Sequence, residues 1–242
     1  MSAIHWSVTV VQSLPLVLVP GLTCTARLYA PQIAALWQFG QVAVADHRRD
    51  ADMAAIAARI LKDAPPRFAL AGLSMGGYIA FAMLRLAPER IAKLALLDTS
   101  ARADTPEQIA GRHTQIAMAQ SGRYGEIPDL AIPRYLNVKH QRDERLTAIV
   151  RQMIMETGPE AFVRQQMAIM SRPDARPLLA SIRCPTLVLV GDGDEATPLE
   201  LNQEIAGGIP GAKLTIVADC GHLSTIEQPD AVNAALAEWL GA

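Results

Sequence analysis

A six-residue segment, Gly72-Leu73-Ser74-Met75-Gly76-Gly77, is all that separates an apolar run at 67–71 from a helical pattern at 78–87. The run, Arg67-Phe68-Ala69-Leu70-Ala71, reads as a short buried strand. A chain that passes from strand to helix within so few residues turns sharply, and the turn forces its middle residue to positive φ. Only very small neighbours leave room for that turn, and the flanking glycines supply it. The Ser74 hydroxyl is then lifted clear of the sheet, with the helix N-terminus aimed at it. That geometry suits a nucleophile that attacks a carbonyl and then needs its negative charge stabilised. A glycine-rich turn that only packs a helix tightly on a sheet would read the same over these six residues, so the other loops must decide.

Strand-like runs alternate with helical patterns on both sides of this turn. Val8-Thr9-Val10-Val11 and Leu16-Val17-Leu18-Val19 read as the first two strands, 27–37 as a helix, 42–45 as a strand and 52–62 as a helix ended by Pro65-Pro66. The helix after Ser74 is apolar almost all round (Ile79, Ala80, Phe81, Ala82, Met83, Leu84), so it is expected to be buried, and it stops before Pro88. Leu94-Ala95-Leu96-Leu97 is the next strand and ends at Asp98. From 104 to 181 helical spacing continues without strands; Leu146, Ile149, Val150, Met153 and Ile154 share one face. Alternation resumes with a strand at 186–190, a helix near 198–206, a strand at 213–217 and a last helix carrying Val232, Leu236, Trp239 and Leu240. Continuous apolar strands separated by helices imply an α/β fold with a mostly parallel sheet covered on both faces. The expected organisation is one core domain, 1–103 and 182–242, with a helical lid at 104–181 inserted after the strand that ends at Asp98. Ligands of such open sheets bind at the strand C-terminal ends, beneath that lid.

Composition narrows the partners. The chain has 242 residues, half of them hydrophobic, and a formal net charge of −2. That balance leaves no footprint for nucleic acid or an anionic membrane surface, and no stretch is long and apolar enough to span a membrane. Cys24, Cys184 and Cys220 are widely spaced and form neither a zinc pattern nor a disulfide ladder, so a reducing, cytoplasmic setting is expected.

A serine hydroxyl needs a base within hydrogen-bond reach, and the base needs an orienting acid. His222, in Asp219-Cys220-Gly221-His222, is the expected base, because only it among five histidines occupies a loop after a late strand. His47 follows an earlier strand and is close enough in the pattern to approach the pocket. His47, His5, His113 and His140 are all read as surface or structural residues. The acid is expected in Gly191-Asp192-Gly193-Asp194, with Asp194 as triad member and Asp192 stabilising the loop. Asp98 also ends a strand and is the rival, read instead as a turn acceptor for the Thr99-Ser100 backbone. Backbone N–H groups of Met75 and of Leu22, in Pro20-Gly21-Leu22, are expected to form the oxyanion hole.

These segments together resemble the α/β-hydrolase superfamily, in particular its small, helical-capped serine hydrolases: carboxylesterases, enol-lactonases and carrier-protein methyl-ester esterases. The order Ser74…Asp194…His222 accompanies this kind of turn. Many relatives carry His-Gly where this chain has Pro20-Gly21, a change in the shape of the oxyanion loop that leaves its N–H in place. The resemblance implies a small-molecule ester substrate, an acyl-enzyme on Ser74, and no metal or organic cofactor. It leaves open C–C bond hydrolysis or lyase chemistry with the same residues, and a receptor-like binder with little turnover. A basic stretch on the lid (Arg134, Lys139, Arg142, Arg145, Arg151) would suit a carrier protein or an acidic substrate tail, but reads first as a solvated helix face. Lid methionines read first as packing residues.

Overall fold

The computed structural model describes residues 14–241. In chain order the elements are β1 (Leu16–Val19), α1 (Ala30–Leu36), β2 (Val42–Val44), α2 (Met53–Asp63), β3 (Phe68–Leu73), α3 (Met75–Leu86) and β4 (Ile91–Leu97). Then follow α4 (Pro106–Met118), α5 (Ile127–Tyr135), α6 (Glu144–Thr157), α7 (Pro159–Ser171) and α8 (Arg176–Leu179). The chain closes with β5 (Thr186–Gly191), α9 (Leu199–Gly208), β6 (Lys213–Val217), α10 (Ser224–Glu227) and α11 (Pro229–Gly241). The strand expected at 8–11 lies outside the described residues.

The six strands form one sheet in the order β2-β1-β3-β4-β5-β6, and every pairing is parallel. The central strands β1, β3, β4 and β5 are largely apolar, because successive side chains enter two different cores. Leu16, Leu18, Ala71, Leu73, Leu97 and Leu189 face a cluster that includes Leu36, Leu236 and Trp239 of α1 and α11. Val17, Val19, Leu70, Leu94, Leu96 and Val188 face the other, with Ile56 and Ile60 of α2, Ile79 and Met83 of α3 and Ile205 of α9. Complete burial of an Ile, Phe or Met side chain contributes about 1.5–3 kcal/mol. Ten of the twelve α3 residues are buried, so this helix is a principal anchor of that face.

The order in which strands are added to the sheet reverses at β1, although every strand runs the same way. β2 lies on one side of β1 and β3 on the other, so the loops leaving β1 and β3 diverge and open a crevice at their C-terminal ends. Register brings those ends level: Val19 pairs with Gly72, and Gly72 with Leu96.

The turn between β3 and α3 is tighter than the sequence suggests. β3 runs through Leu73 and α3 begins at Met75, leaving Ser74 as the whole connection. Close approach makes this possible: a Cβ on Gly76 would stand 2.0 Å from the Val19 carbonyl oxygen, and one on Gly72 would stand 2.3 Å from the Gly76 oxygen. β4 also begins earlier than expected, at Ile91, because a single turn at Pro88–Arg90 delivers the chain straight into the sheet. Between β4 and β5 the structure has helices only among the described residues.

The β1–α3 contact can be tested directly. Gly76→Ala should destabilise the protein by about 3 kcal/mol or more, because the obstacle is backbone that cannot rotate away. Gly111→Ala in α4, where nothing stands within 4 Å of an added Cβ, should instead stabilise by about 0.5–1 kcal/mol through helix propensity. Urea unfolding of both variants measures the contrast.

Candidate active site

Ser74 sits at φ 56°, ψ −114°, a conformation that a side chain adopts only under compulsion. The compulsion is hydrogen bonding on both flanks. Ser74 N–H donates to Leu97 O (2.9 Å), while Ser74 O accepts from Gly77 N–H (2.9 Å) and from the Thr99 hydroxyl (2.8 Å). The nucleophile candidate is thus clamped between α3 and the end of β4. Its side chain, half-buried, lines a cavity of about 500 Å³ that His222, Leu22, Thr23 and Tyr135 also line.

His222 and Asp194 are joined beneath that cavity. His222 Nδ1 lies 3.0 and 2.9 Å from the two Asp194 carboxylate oxygens. Asp194 also accepts the N–H groups of Ala196 and Thr197 and the Thr197 hydroxyl (2.7 Å). Burial by itself raises the Asp194 pKa, but the adjacent imidazole and these donors outweigh it and hold the carboxyl below its ordinary range. Burial likewise depresses the His222 pKa; the Asp194 charge and hydrogen bond reverse that and leave it above the ordinary histidine value. An ionised Asp194 keeps the proton on Nδ1, so Nε2 is the ring nitrogen available to the cavity. Asp192 is turned elsewhere and accepts the Cys220 N–H (3.1 Å).

Leu22 and Met75 stand beside Ser74 on the two diverging loops. Among the described residues neither N–H has a protein acceptor, so both are available to a developing anion. The loop after β1 is held by contacts that sequence reasoning missed. Thr23 sits at φ 59°, and its N–H donates to Gln165 Oε1 (3.1 Å) from α7. His47 Nε2 lies 3.0 Å from Gly21 O and 3.1 Å from Gln165 Nε2. His47 is wholly buried, and desolvation lowers its pKa to about 4, so it acts as a neutral strut. Pro20-Gly21 is therefore braced from outside, by residues 47 and 165, which no local motif connects.

Asp98 departs most from expectation. It does not cap Thr99-Ser100; the Thr99 N–H goes to Asn202 Oδ1 (3.2 Å). Instead Asp98, at φ 45° and fully buried, accepts the Gly191 N–H (3.0 Å) and hydrogen-bonds to the Ser224 hydroxyl. It thereby ties the loop carrying Asp194 to the loop carrying His222. Burial and the nearby Asp194 charge raise its pKa well above the ordinary carboxylate range. The one available signal was Ser224, two residues beyond His222. At the end of α5, Tyr135 O accepts the His222 N–H (2.9 Å), and Glu227 of α10 accepts those of Gly221 (3.1 Å) and Asn137 (2.8 Å).

The remaining candidates fall away from the chemistry. Burial pushes the Cys24 thiol up to about 12 and that of Cys220 higher still, so neither is a thiolate. His140 Nδ1 meets Glu227 (2.9 Å) outside the cavity. Of the basic stretch, Lys139 pairs with Asp219 and Arg151 with Asp129 on the surface, while Arg134 lines the cavity. Among the described residues no group of three or more His, Cys, Asp or Glu side chains converges as a metal site, and no helix is long and apolar enough to cross a membrane.

Comparison with known proteins identifies the family and the fold. A model of the alpha/beta hydrolase family matches residues 16–235. A pimeloyl-[acyl-carrier protein] methyl ester esterase from Aromatoleum aromaticum is 25% identical over 182 residues, 71% of this chain and 73% of that protein. A 2-hydroxy-6-oxononadienedioate/2-hydroxy-6-oxononatrienedioate hydrolase from Paraburkholderia phymatum is 28% identical, over 71% of this chain and 62% of that protein, less than two thirds of its length. Among solved structures, a malate-bound thermophilic esterase from Thermogutta terrifontis superposes with a TM-score of 0.86 at 33% identity, covering 94% of this chain and 89% of that one. The enol-lactonase from Burkholderia xenovorans LB400 gives 0.86 at 27% identity, covering 95% and 92%.

The Asp98 tie has a measurable signature. Asp98→Ala strands two buried donors, at about 1–3 kcal/mol each, and should destabilise accordingly in urea. Asp98→Asn keeps both partners and should lose far less. A carboxyl whose folded pKa is raised binds its proton more tightly when folded, so its contribution falls as pH climbs from the ordinary carboxylate range towards the folded value. Wild type should therefore lose stability relative to Asp98→Asn as pH rises above the ordinary carboxylate range.

Proposed function

The chain belongs to the alpha/beta hydrolase family, and from that premise we propose that it is a serine hydrolase that cleaves a carboxylic ester, lactone or thioester of a small to medium apolar acyl substrate. The observation that carries this reading is the Asp194–His222 pair on the wall of the cavity that the strained Ser74 also lines. The esterase and enol-lactonase likenesses support the same class of bond.

The steps follow from the geometry. Ser74 Oγ attacks the acyl carbonyl as its proton passes to His222 Nε2. The carbonyl electron pair moves onto oxygen, where the Leu22 and Met75 N–H groups receive it; one such donor is worth about 3–4 kcal/mol in the transition state. Collapse of this intermediate breaks the bond to the leaving group, which takes the proton from His222. Water then attacks the acyl-enzyme, giving its proton to the imidazole, and the carboxylic acid departs as Ser74 is reprotonated. Asp194 fixes the imidazole tautomer and stabilises its charged form throughout. The helices at 104–181 form a cap that excludes bulk water and shapes the acyl pocket. A surplus of carboxylate selectivity is not required for any of these steps.

Two measurements test the reading. Ser74→Ala should lower turnover of short p-nitrophenyl esters by roughly 10⁴-fold or more with its circular dichroism unchanged, and should abolish fluorophosphonate labelling; full activity in that variant would eliminate the mechanism. A panel of esters, lactones, thioesters and β-diketones identifies the bond. The base must be neutral to accept the Ser74 proton, so kcat/KM should rise with pH through an inflection above about 6.5, the ordinary histidine value. Asp194→Asn should move that inflection down and lower kcat by on the order of a thousandfold or more.

A further inference from the structure

The cavity wall formed by the cap carries more cation than anion. Asp104 is almost wholly buried, and two guanidinium groups share it. Arg112 reaches it through Nε (2.5 Å) and Nη2 (3.2 Å), and Arg172 through Nη2 (2.7 Å). Arg112 Nη1 also donates to Gln166 Oε1 (2.7 Å). Arg172 donates to the carbonyls of Arg102 and Ile169, and its guanidinium carbon lies 4.1 Å from the centre of the Tyr78 ring. Each guanidinium has five N–H donors, so both retain donors beyond these bonds, and both line the cavity that Ser74 lines.

The surplus survives a count of the whole lining. Arg102, Arg112, Arg134 and Arg172 stand there against Asp104 and Glu107, and among the described residues only Arg102 has an acidic partner outside the lining, Glu204. A carboxylate shared between a buried Arg172 and a half-buried Arg112 leaves one positive charge to be answered, and a charge so little exposed is costly to leave unanswered. One arginine would suffice to neutralise Asp104 and hold this corner of the cap together. Tyr78, which supports Arg172, lies one helical turn past Ser74 and donates its N–H to Ser74 O (3.3 Å). Ser74, Arg112 and Arg172 thus line one cavity of about 500 Å³, a size that suits a small acyl chain attached at Ser74.

We infer that Arg112 and Arg172 form a carboxylate-binding subsite, and that the substrate is a monoester of a short dicarboxylic acid whose free carboxylate docks there. This rests on the ester-hydrolase reading and corrects its apolar acyl chain to one with an anionic end. Planar guanidinium pairs suit a carboxylate, because both can donate in parallel.

The test compares monomethyl esters of succinate through suberate with the corresponding dimethyl esters, which differ by one charge. Wild type should favour the best monoester over its diester by about tenfold or more in kcat/KM. Arg112→Gln leaves Arg172 and Asp104 matched one to one, so the variant should fold, and it should cut that preference at least tenfold, chiefly through KM. Arg112→Lys should keep most of the preference. Equal use of both esters by wild type, or a proportional loss on both in Arg112→Gln, overturns the subsite and leaves the arginines as a structural staple. Calorimetric titration of adipate into Ser74→Ala separates the subsite from the chemistry. Saturable binding that Arg112→Gln removes supports the subsite even where wild type turns over no ester, an outcome that would remove only the ester reading. Turnover of both esters without adipate binding would do the reverse.

Discussion

The approach of α3 to the end of β1 governs this structure. The Val19 carbonyl occupies the space that a Cβ on residue 76 would need, and the Gly76 carbonyl occupies that of a side chain on residue 72. Only with both side chains absent can the helix begin one residue after the strand. That closeness drives Ser74 to positive φ and sets the loop after β1 directly beside it. A Cβ on Gly21 of that loop would stand 3.3 Å from the Ser74 Cβ. The parallel sheet makes this placement useful, since every strand ends on the same edge and every connecting loop starts there.

Backbone strain is distributed accordingly. Thr23, Ser74, Asp98 and Asp219 are the positive-φ residues other than glycine among those described, and they follow β1, β3, β4 and β6 at that same edge. Strain of this kind, of order 1–3 kcal/mol per residue, persists only where neighbours over-determine the backbone. Here the neighbours are buried polar groups: Gln165 at Thr23, Leu97 and Thr99 at Ser74, and Gly191 and Ser224 at Asp98. A second buried carboxyl beside Asp194 would be destabilising if both ionised. The raised Asp98 pKa and depressed Asp194 pKa divide the roles, Asp98 tying two loops together and Asp194 facing His222.

The helices between β4 and β5 take part in the site itself. Gln165 braces the loop after β1, Tyr135 O holds the His222 backbone, and Arg112 and Arg172 charge the far wall. Arg112, Tyr135 and Gln165 lie on three different helices and Arg172 just past the end of α7, with no common spacing. Helical periodicity announces that Leu146, Val150 and Met153 are packed; it says nothing about which polar residue on the same helices turns inward. The basic stretch shows this limit, because Arg134 enters the cavity while Lys139 and Arg151 pair at the surface.

Local chemistry made much legible from the chain alone. Continuous apolar runs imply a two-faced sheet, because a strand buried on both sides has no polar face to alternate. Glycines at 72 and 76 imply a turn that no other residue permits. The order of Ser74, Asp194 and His222 on successive loops needed no coordinates, since loops after parallel strands must share an edge. What tertiary structure decided were pairings across long separations: His47 with Gly21, Gln165 with Thr23, Asp98 with Gly191 and Ser224, Arg112 and Arg172 with Asp104. Each depends on which side chains meet once the core has closed. A buried hydrogen bond is specified by two distant positions at once, whereas a strand, a helix or a tight turn is specified by neighbours in the chain.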